Sequence, residues 1–126
     1  MTHRTFEVPS AGDGPTFELT GEYTKHHPVN PGEPWAESFP CLGIAPVGVL
    51  ADYAMTASTD GKGGTIYRVG PVVRFLRAMI ADPEALARFD ALILDRYRPI
   101  ELTTLVDVLG YVGEEVLARP TGPAST

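Results

Sequence analysis

Cysteine is almost missing from this sequence. Cys41 stands alone among 126 residues, which excludes an internal disulfide and leaves no second thiol for a metal knuckle. A reducing cytoplasm is therefore the expected setting. Histidine is nearly as scarce, with only His3, His26 and His27. No apolar run approaches the ~20 residues of a membrane span. Residues 1 to 30 lack a basic region followed by an apolar stretch and a small-residue cleavage site. Neither a membrane-spanning chain nor one exported by that route is expected. Basic residues are also few: ten Lys and Arg face sixteen Asp and Glu, a net charge of −6 that opposes approach to nucleic acid or an anionic membrane. The imbalance belongs to the first half, where residues 1 to 67 hold three basic and eight acidic residues, against seven and eight in residues 68 to 126.

What is present is enough apolar material to fold. Hydrophobic residues make up 44% of the chain and charged residues 21%, far from the composition of disorder. The length suits one domain, expected over residues 1 to 119, with a strand and loop region at 1 to 44 and a helical region at 45 to 119. Residues 120 to 126 are small, polar and proline-bearing, and read as a disordered tail.

Phe6-Glu7-Val8 reads as a first short strand, followed by a turn-rich Ala11-Gly12-Asp13-Gly14-Pro15. Phe17 to Tyr23 alternates apolar with polar at period two, the pattern of a half-buried strand, and of the two roles open to Gly21, continuing the strand or turning it into a small hairpin, the hairpin is favoured. From His27 to Pro40, four prolines each remove a donor and bias the preceding residue to extended geometry. That stretch reads as an irregular connector anchored by Trp35 and Phe39.

From Ala45 the period changes to that of a helix. Val47, Leu50, Ala51 and Ala54 stand at i, i+3, i+4 and i+7, predicting a first helix over 46 to 57 with that stripe inward. Ser58 to Gly64 reads as a flexible loop, and Thr65-Ile66-Tyr67 as a brief extended piece. A second helix over 71 to 81 places Val72, Phe75, Leu76, Met79 and Ile80 on one face, with Arg74 and Arg77 pointing away. Asp82-Pro83-Glu84 then supplies an N-cap, a proline for the first helical position and an acid for the helix dipole. The third helix carries Leu86, Phe89, Ile93 and Tyr97 as its stripe, has Glu84 and Arg88 spaced to pair on the outside, and runs to Pro99. The fourth, over 101 to 118, turns Leu102, Leu105, Val106, Leu109, Val112 and Val116 inward. The expected fold class is α+β, predominantly helical: a short N-terminal β-hairpin region followed by about four amphipathic helices.

No constellation of nucleophile, base and orienter stands out, so no catalytic residue, cofactor or metal ligand is assigned. His26 and His27 are adjacent, and neighbours on a strand point to opposite faces, which suits a solvated strand end better than a chelate. Cys41 has no nearby histidine to activate it and reads as a small buried apolar side chain. Thr59 to Thr65 is glycine-rich, yet lacks the spacing of a phosphate-binding loop. Asp90 and Asp95, and Glu114 and Glu115, read as solvated charges on outward helix faces.

The irregularities lie in the fourth helix. Gly110 and Gly113 each cost up to ~1 kcal/mol relative to alanine in a helix interior, so some packing should compensate. Tyr111 falls well outside the apolar stripe and Val108 at its edge, which would set an aromatic and a β-branched residue together against water as a candidate partner-binding patch.

The order of features in residues 69 to 121 carries a resemblance: Val72-Val73-Arg74-Phe75-Leu76, Asp82-Pro83-Glu84 with Arg88-Phe89, Ile100-Glu101-Leu102-Thr103-Thr104-Leu105, Glu114-Glu115, and Arg119-Pro120-Thr121. With Phe17-Glu18-Leu19 and Ala45-Pro46-Val47-Gly48-Val49-Leu50 ahead of them, the chain resembles the tail assembly chaperones of long-tailed phages of actinobacteria. Residues 24 to 40 depart from that family in being longer and richer in proline. The resemblance implies a non-enzymatic protein that binds the tape measure protein, and also the tail tube subunit, keeping them soluble in the host cytoplasm. It implies absence from the mature virion, and it leaves self-association open. The alternative from another class is a small virion structural or head-tail connector protein.

Overall fold

The computed structural model describes residues 2–8 and 12–117. Strand β1 (Asp13–Glu22) pairs antiparallel with β2 (Pro34–Leu42), in a register that sets Phe17 opposite Phe39, Leu19 opposite Glu37 and Gly21 opposite Trp35. The period-two pattern of β1 puts Phe17 and Leu19 on the covered face and leaves Thr16, Glu18 and Thr20 on the other. A short helix α1 (Val47–Ala54) follows, then a small hairpin of β3 (Ala57–Thr59) and β4 (Thr65–Tyr67). Three longer helices complete the chain: α2 (Val69–Met79), α3 (Pro83–Ile93) and α4 (Leu102–Leu117).

The strand expected from Phe17 forms, but Gly21 continues it opposite Trp35 where a hairpin turn was favoured, and the expectation failed for the partner strand as well. The stretch read as an irregular connector is, from Pro34 onward, strand β2. Its prolines are compatible with a strand because of where they sit. Pro34 occupies the first strand position, and the Pro40 carbonyl accepts from the Ala81 N–H at 2.8 Å on the side away from β1. The nitrogen and carbonyl of one strand residue point the same way, so the donor that Pro40 lacks would have faced outward too. Phe6-Glu7-Val8 forms no strand and is exposed. The fold is consequently mixed and not predominantly helical: among the described residues 41% are helical and 23% lie in strand, as four helices and two two-stranded antiparallel sheets.

Two of the helices stop earlier than their apolar periodicity suggests, and local hydrogen bonding accounts for both ends. After α1, the Thr56 hydroxyl donates to the Tyr53 carbonyl at 2.7 Å, and the chain turns into β3. After α3, the Asp95 carboxylate accepts from the Tyr97 N–H at 2.8 Å and from Arg98 Nε at 2.8 Å, closing a turn well short of Pro99. The start of α3 follows the sequence reading, with the Asp82 side chain accepting from the Ala85 N–H at 2.8 Å and Pro83 in the first turn.

The core lies between the covered face of the β1–β2 sheet and the three long helices. Val72, Phe75, Leu76 and Met79 of α2 are buried as predicted. On α3 the buried set is Ala85, Phe89 and Leu92, with Leu86 and Ile93 flanking it half-buried. Phe89 meets both strands at once: its ring stands edge-on to Phe17 at 6.3 Å and to Phe39 at 5.6 Å, while Phe17 and Phe39 lie 5.2 Å apart across the sheet. Arg77 donates to Asp90 at 2.6 and 3.0 Å and ties α2 to α3 on the outside. Arg88, spaced to pair with Glu84, turns instead to the sheet, reaching Glu37 at 3.4 Å and the Ser38 carbonyl at 3.1 Å.

Phe89→Ala is expected to lower unfolding free energy by about 3–5 kcal/mol, because it removes the ring that both strands share and leaves a cavity. Urea denaturation followed by far-UV circular dichroism measures it. A loss below about 1 kcal/mol would show that the sheet and α3 are not joined through this ring.

Candidate partner-binding surface

The proposed pair on α4 does not form a patch. Tyr111 is 42% exposed, whereas Val108 is 8% exposed and belongs to the core. The reason is that α4 packs mainly against two elements, α2 and β1. Its buried arc, from Leu105 through Val108, Leu109 and Val112 to Val116, is wider than a single-sided stripe and takes in the edge position.

On α1 the discrepancy runs the other way. The stripe expected to face inward is the face turned to water: Val47 is 85% exposed, Leu50 is 36% exposed, and Ala51 and Ala54 are exposed as well. No residue of α1 is buried. The helix holds to α2 by its opposite side, where the Tyr53 ring lies 5.0 Å from Phe75 and the Asp52 carboxylate meets Arg74 Nε at 3.5 Å. Val49 is the other half-buried residue on that side.

Beside this stripe the surface is concave. A cleft of about 310 Å³ is lined by Tyr53, Ala54, Ala57, Tyr67, Val106 and Gly110, among others. A shallower depression of about 670 Å³ continues past Tyr53 to Gly113, Glu114, Glu115 and Leu117. Its walls come from α1, the β3–β4 hairpin and α4. The hairpin itself is ordered by its turn, since the Asp60 carboxylate accepts from Lys62 N–H at 2.7 Å and Gly64 N–H at 3.0 Å, while Gly61 and Gly63 supply positive φ. Those backbone donors hold the Asp60 carboxyl below the usual carboxylate range. The glycine-rich segment is thus a built turn rather than a loose loop.

The two glycines of α4 separate here. A Cβ at Gly113 would stand 2.8 Å from the Tyr53 ring, so that glycine admits the side chain that anchors α1. A Cβ at Gly110 would meet nothing within 4 Å. Gly110 lines the cleft, and no contact among the described residues accounts for it.

The remaining candidate groups are occupied structurally. His26 is exposed, while His27 is half-buried between Tyr23 at 4.4 Å and Tyr97 at 5.1 Å, its Nδ1 accepting from the backbone N–H of Asn30 at 2.8 Å and Val29 at 3.2 Å. The two histidines do not converge. Among the described residues no group of three or more His, Cys, Asp or Glu is placed to hold a metal ion. Asp90 and Asp95 are not free charges, since each is held by an arginine. Among the described residues no helix is long and apolar enough to cross a membrane. The sequence reading missed the cluster around Arg98, which pairs with Glu37 and Asp95 and lies over the rings of Trp35 and Tyr23 at 5.4 and 5.8 Å. The anchoring role given to Trp35 was its one legible sign.

Cys41 is buried on β2, as its surroundings suggested, and burial pushes its thiol from 9.0 up to about 12. Between those two values the unfolded chain has lost the thiol proton and the folded chain has kept it. The contribution of Cys41 to stability is therefore intact below pH 9.0 and is lost as the pH rises toward about 12. The expected result is a decline in Tm over that window that is shallower in Cys41→Ala; equal slopes in the two proteins would contradict it.

The two α4 positions should also part company. Val108→Ala is expected to destabilise by about 0.5–3 kcal/mol as a core truncation, and Tyr111→Ala to stay within about 0.5 kcal/mol as a surface change. Thermal melts of both variants decide it, and an early-melting Tyr111→Ala would place the tyrosine in the core. In comparisons of the chain with protein families, with curated proteins and with solved structures, nothing matches.

Proposed function

We propose that this chain is a tail assembly chaperone of a long-tailed actinobacteriophage. On this reading it binds the tape measure protein, with the tail tube subunit as a further client, and holds them soluble in the host cytoplasm until the tail is built. The observation that supports the reading best is the apolar α1 face presented to water beside a cleft. An exposed apolar surface on a folded domain suits a module that covers apolar surface on another protein. The net charge of −6 suits it also, because repulsion between client-bound copies opposes their aggregation. Neither a nucleotide nor a metal is needed for such a role, and affinity has to be modest so that the client is released.

The test is a pull-down from phage-infected host cells, together with mass spectrometry of purified virions. The tape measure protein should be enriched on the tagged chain, and the chain should be absent from finished particles. Stoichiometric recovery of the chain in virions would assign it instead to the tail or the head-tail junction as a structural component. A lysate containing tape measure protein that is not enriched would remove the chaperone reading.

A further inference from the structure

We infer that the cleft between α1, the β3–β4 hairpin and α4 is a docking groove for a partner's amphipathic helix whose apolar face is flanked by Lys or Arg. The inference rests on the reading of the chain as a protein-binding module, and names its surface and the chemistry of its client.

Three independent features converge on this groove. The exposed α1 stripe of Val47, Leu50, Ala51 and Ala54 runs into it, for Ala54 belongs to both. The residues that line its deeper part are apolar or small apart from the Thr56 hydroxyl, which is bonded internally, and the Tyr53 and Tyr67 hydroxyls. Gly110 stands in its wall at a helix-interior position where alanine would be more favourable and would touch nothing. A glycine placed against helix propensity, with open space where its side chain would be, fits the close approach of another backbone.

Charge selects the occupant. From Leu102 to Leu117, α4 carries Asp107, Glu114 and Glu115 and no Lys or Arg. Asp107 and Glu114 lie at i−3 and i+4 from Gly110, on the same exposed side of the helix. Neither forms a salt bridge with a described residue. These two carboxylates stand along the α4 rim of the groove, one turn to either side of Gly110, and Glu114 also lines the adjoining depression; they complement cations flanking an apolar helix face, and disfavour an acidic one. A second copy of this chain would bring the same carboxylates to its own rim and is the poorer fit.

The experiment uses two labelled peptides of about 20 residues, long enough to form helix. They share an apolar face of Leu and Ala, flanked by Lys in one and by Glu in the other. Fluorescence anisotropy at low salt should give at least tenfold tighter binding of the Lys peptide to the wild-type chain. Gly110→Gln, whose side chain enters the groove, should weaken that binding at least tenfold while Tm stays level or rises. Asp107→Lys with Glu114→Lys should erase or reverse the preference between peptides. Equal affinity for both peptides, or Gly110→Gln binding as tightly as wild type, overturns the inference. A dimer in sedimentation that Gly110→Gln splits also overturns it, in favour of a second copy as occupant. The outcomes stay separate from those of the chaperone reading. Tape measure capture that survives Gly110→Gln removes the groove alone, and a groove that binds the Lys peptide in a chain that never enriches tape measure removes the phage role alone.

Discussion

Two antiparallel strands do not hold each other in water unless something covers their apolar face, and here that cover is supplied by α3 and α4. The joint is the cluster of Phe17, Phe39 and Phe89, in which one helical ring touches one ring from each strand. Everything else is placed relative to it. Because α3 is held on β2 and α4 on β1, α2 fills the remaining side of both helices and α1 then leans on α2. The small helix is therefore the outermost element of the series. Val49, Asp52 and Tyr53 join it to the body, and among the described residues none of its side chains is fully buried.

The second constraint is polar. Between β1 and β2 the chain must cross eleven residues, and that crossing is fastened to the turn after α3 rather than left to itself. Thr24 N–H donates to the Tyr97 carbonyl at 3.0 Å, and His27 is clasped between Tyr23 and Tyr97. Arg98, in the same turn, reaches Glu37 on β2 and covers Trp35. A planar guanidinium held by two carboxylates and stacked on aromatic faces is a geometry that lysine could not reproduce. This half-buried cluster explains why α3 ends at Ile93: the residues that would have continued it are committed to binding the hairpin.

Elements whose signal is local were legible in the sequence. The Asp82-Pro83 start of α3, the α2 stripe and the period-two run of β1 each depend on neighbours within a turn or two, and each stands where it was expected. What was not legible depended on tertiary context. Prolines argued against β2 until the outward direction of Pro40 was known, a matter of which strand edge carries the ladder. Val108 looked like a surface residue because a stripe count assumes one covering layer, and α4 has two. The α1 stripe has correct helical periodicity and the opposite orientation, since periodicity says that a face is apolar and not what lies against it. The candidate surface was likewise half visible: Gly110 and Gly113 stood out as anomalies, but only the position of Tyr53 separates the one that packs from the one that does not.

That separation bears on how a small chain divides its apolar residues between stability and recognition. The Phe cluster and the α2 face are enclosed completely, and truncating them is a matter of folding alone. The α1 stripe lies outside this enclosure, so its side chains contribute little to the folded state and can be covered by another protein without competing with the core. Tyr53 is the hinge between the two roles, with one edge on Phe75 inside and its ring end against Gly113 at the groove. A bulkier residue than glycine at 113 would push that ring and with it α1, altering the surface by moving its support. At 110 the same substitution leaves the support untouched and changes only the surface, which is why the two glycines, three residues apart on one helix, answer different questions.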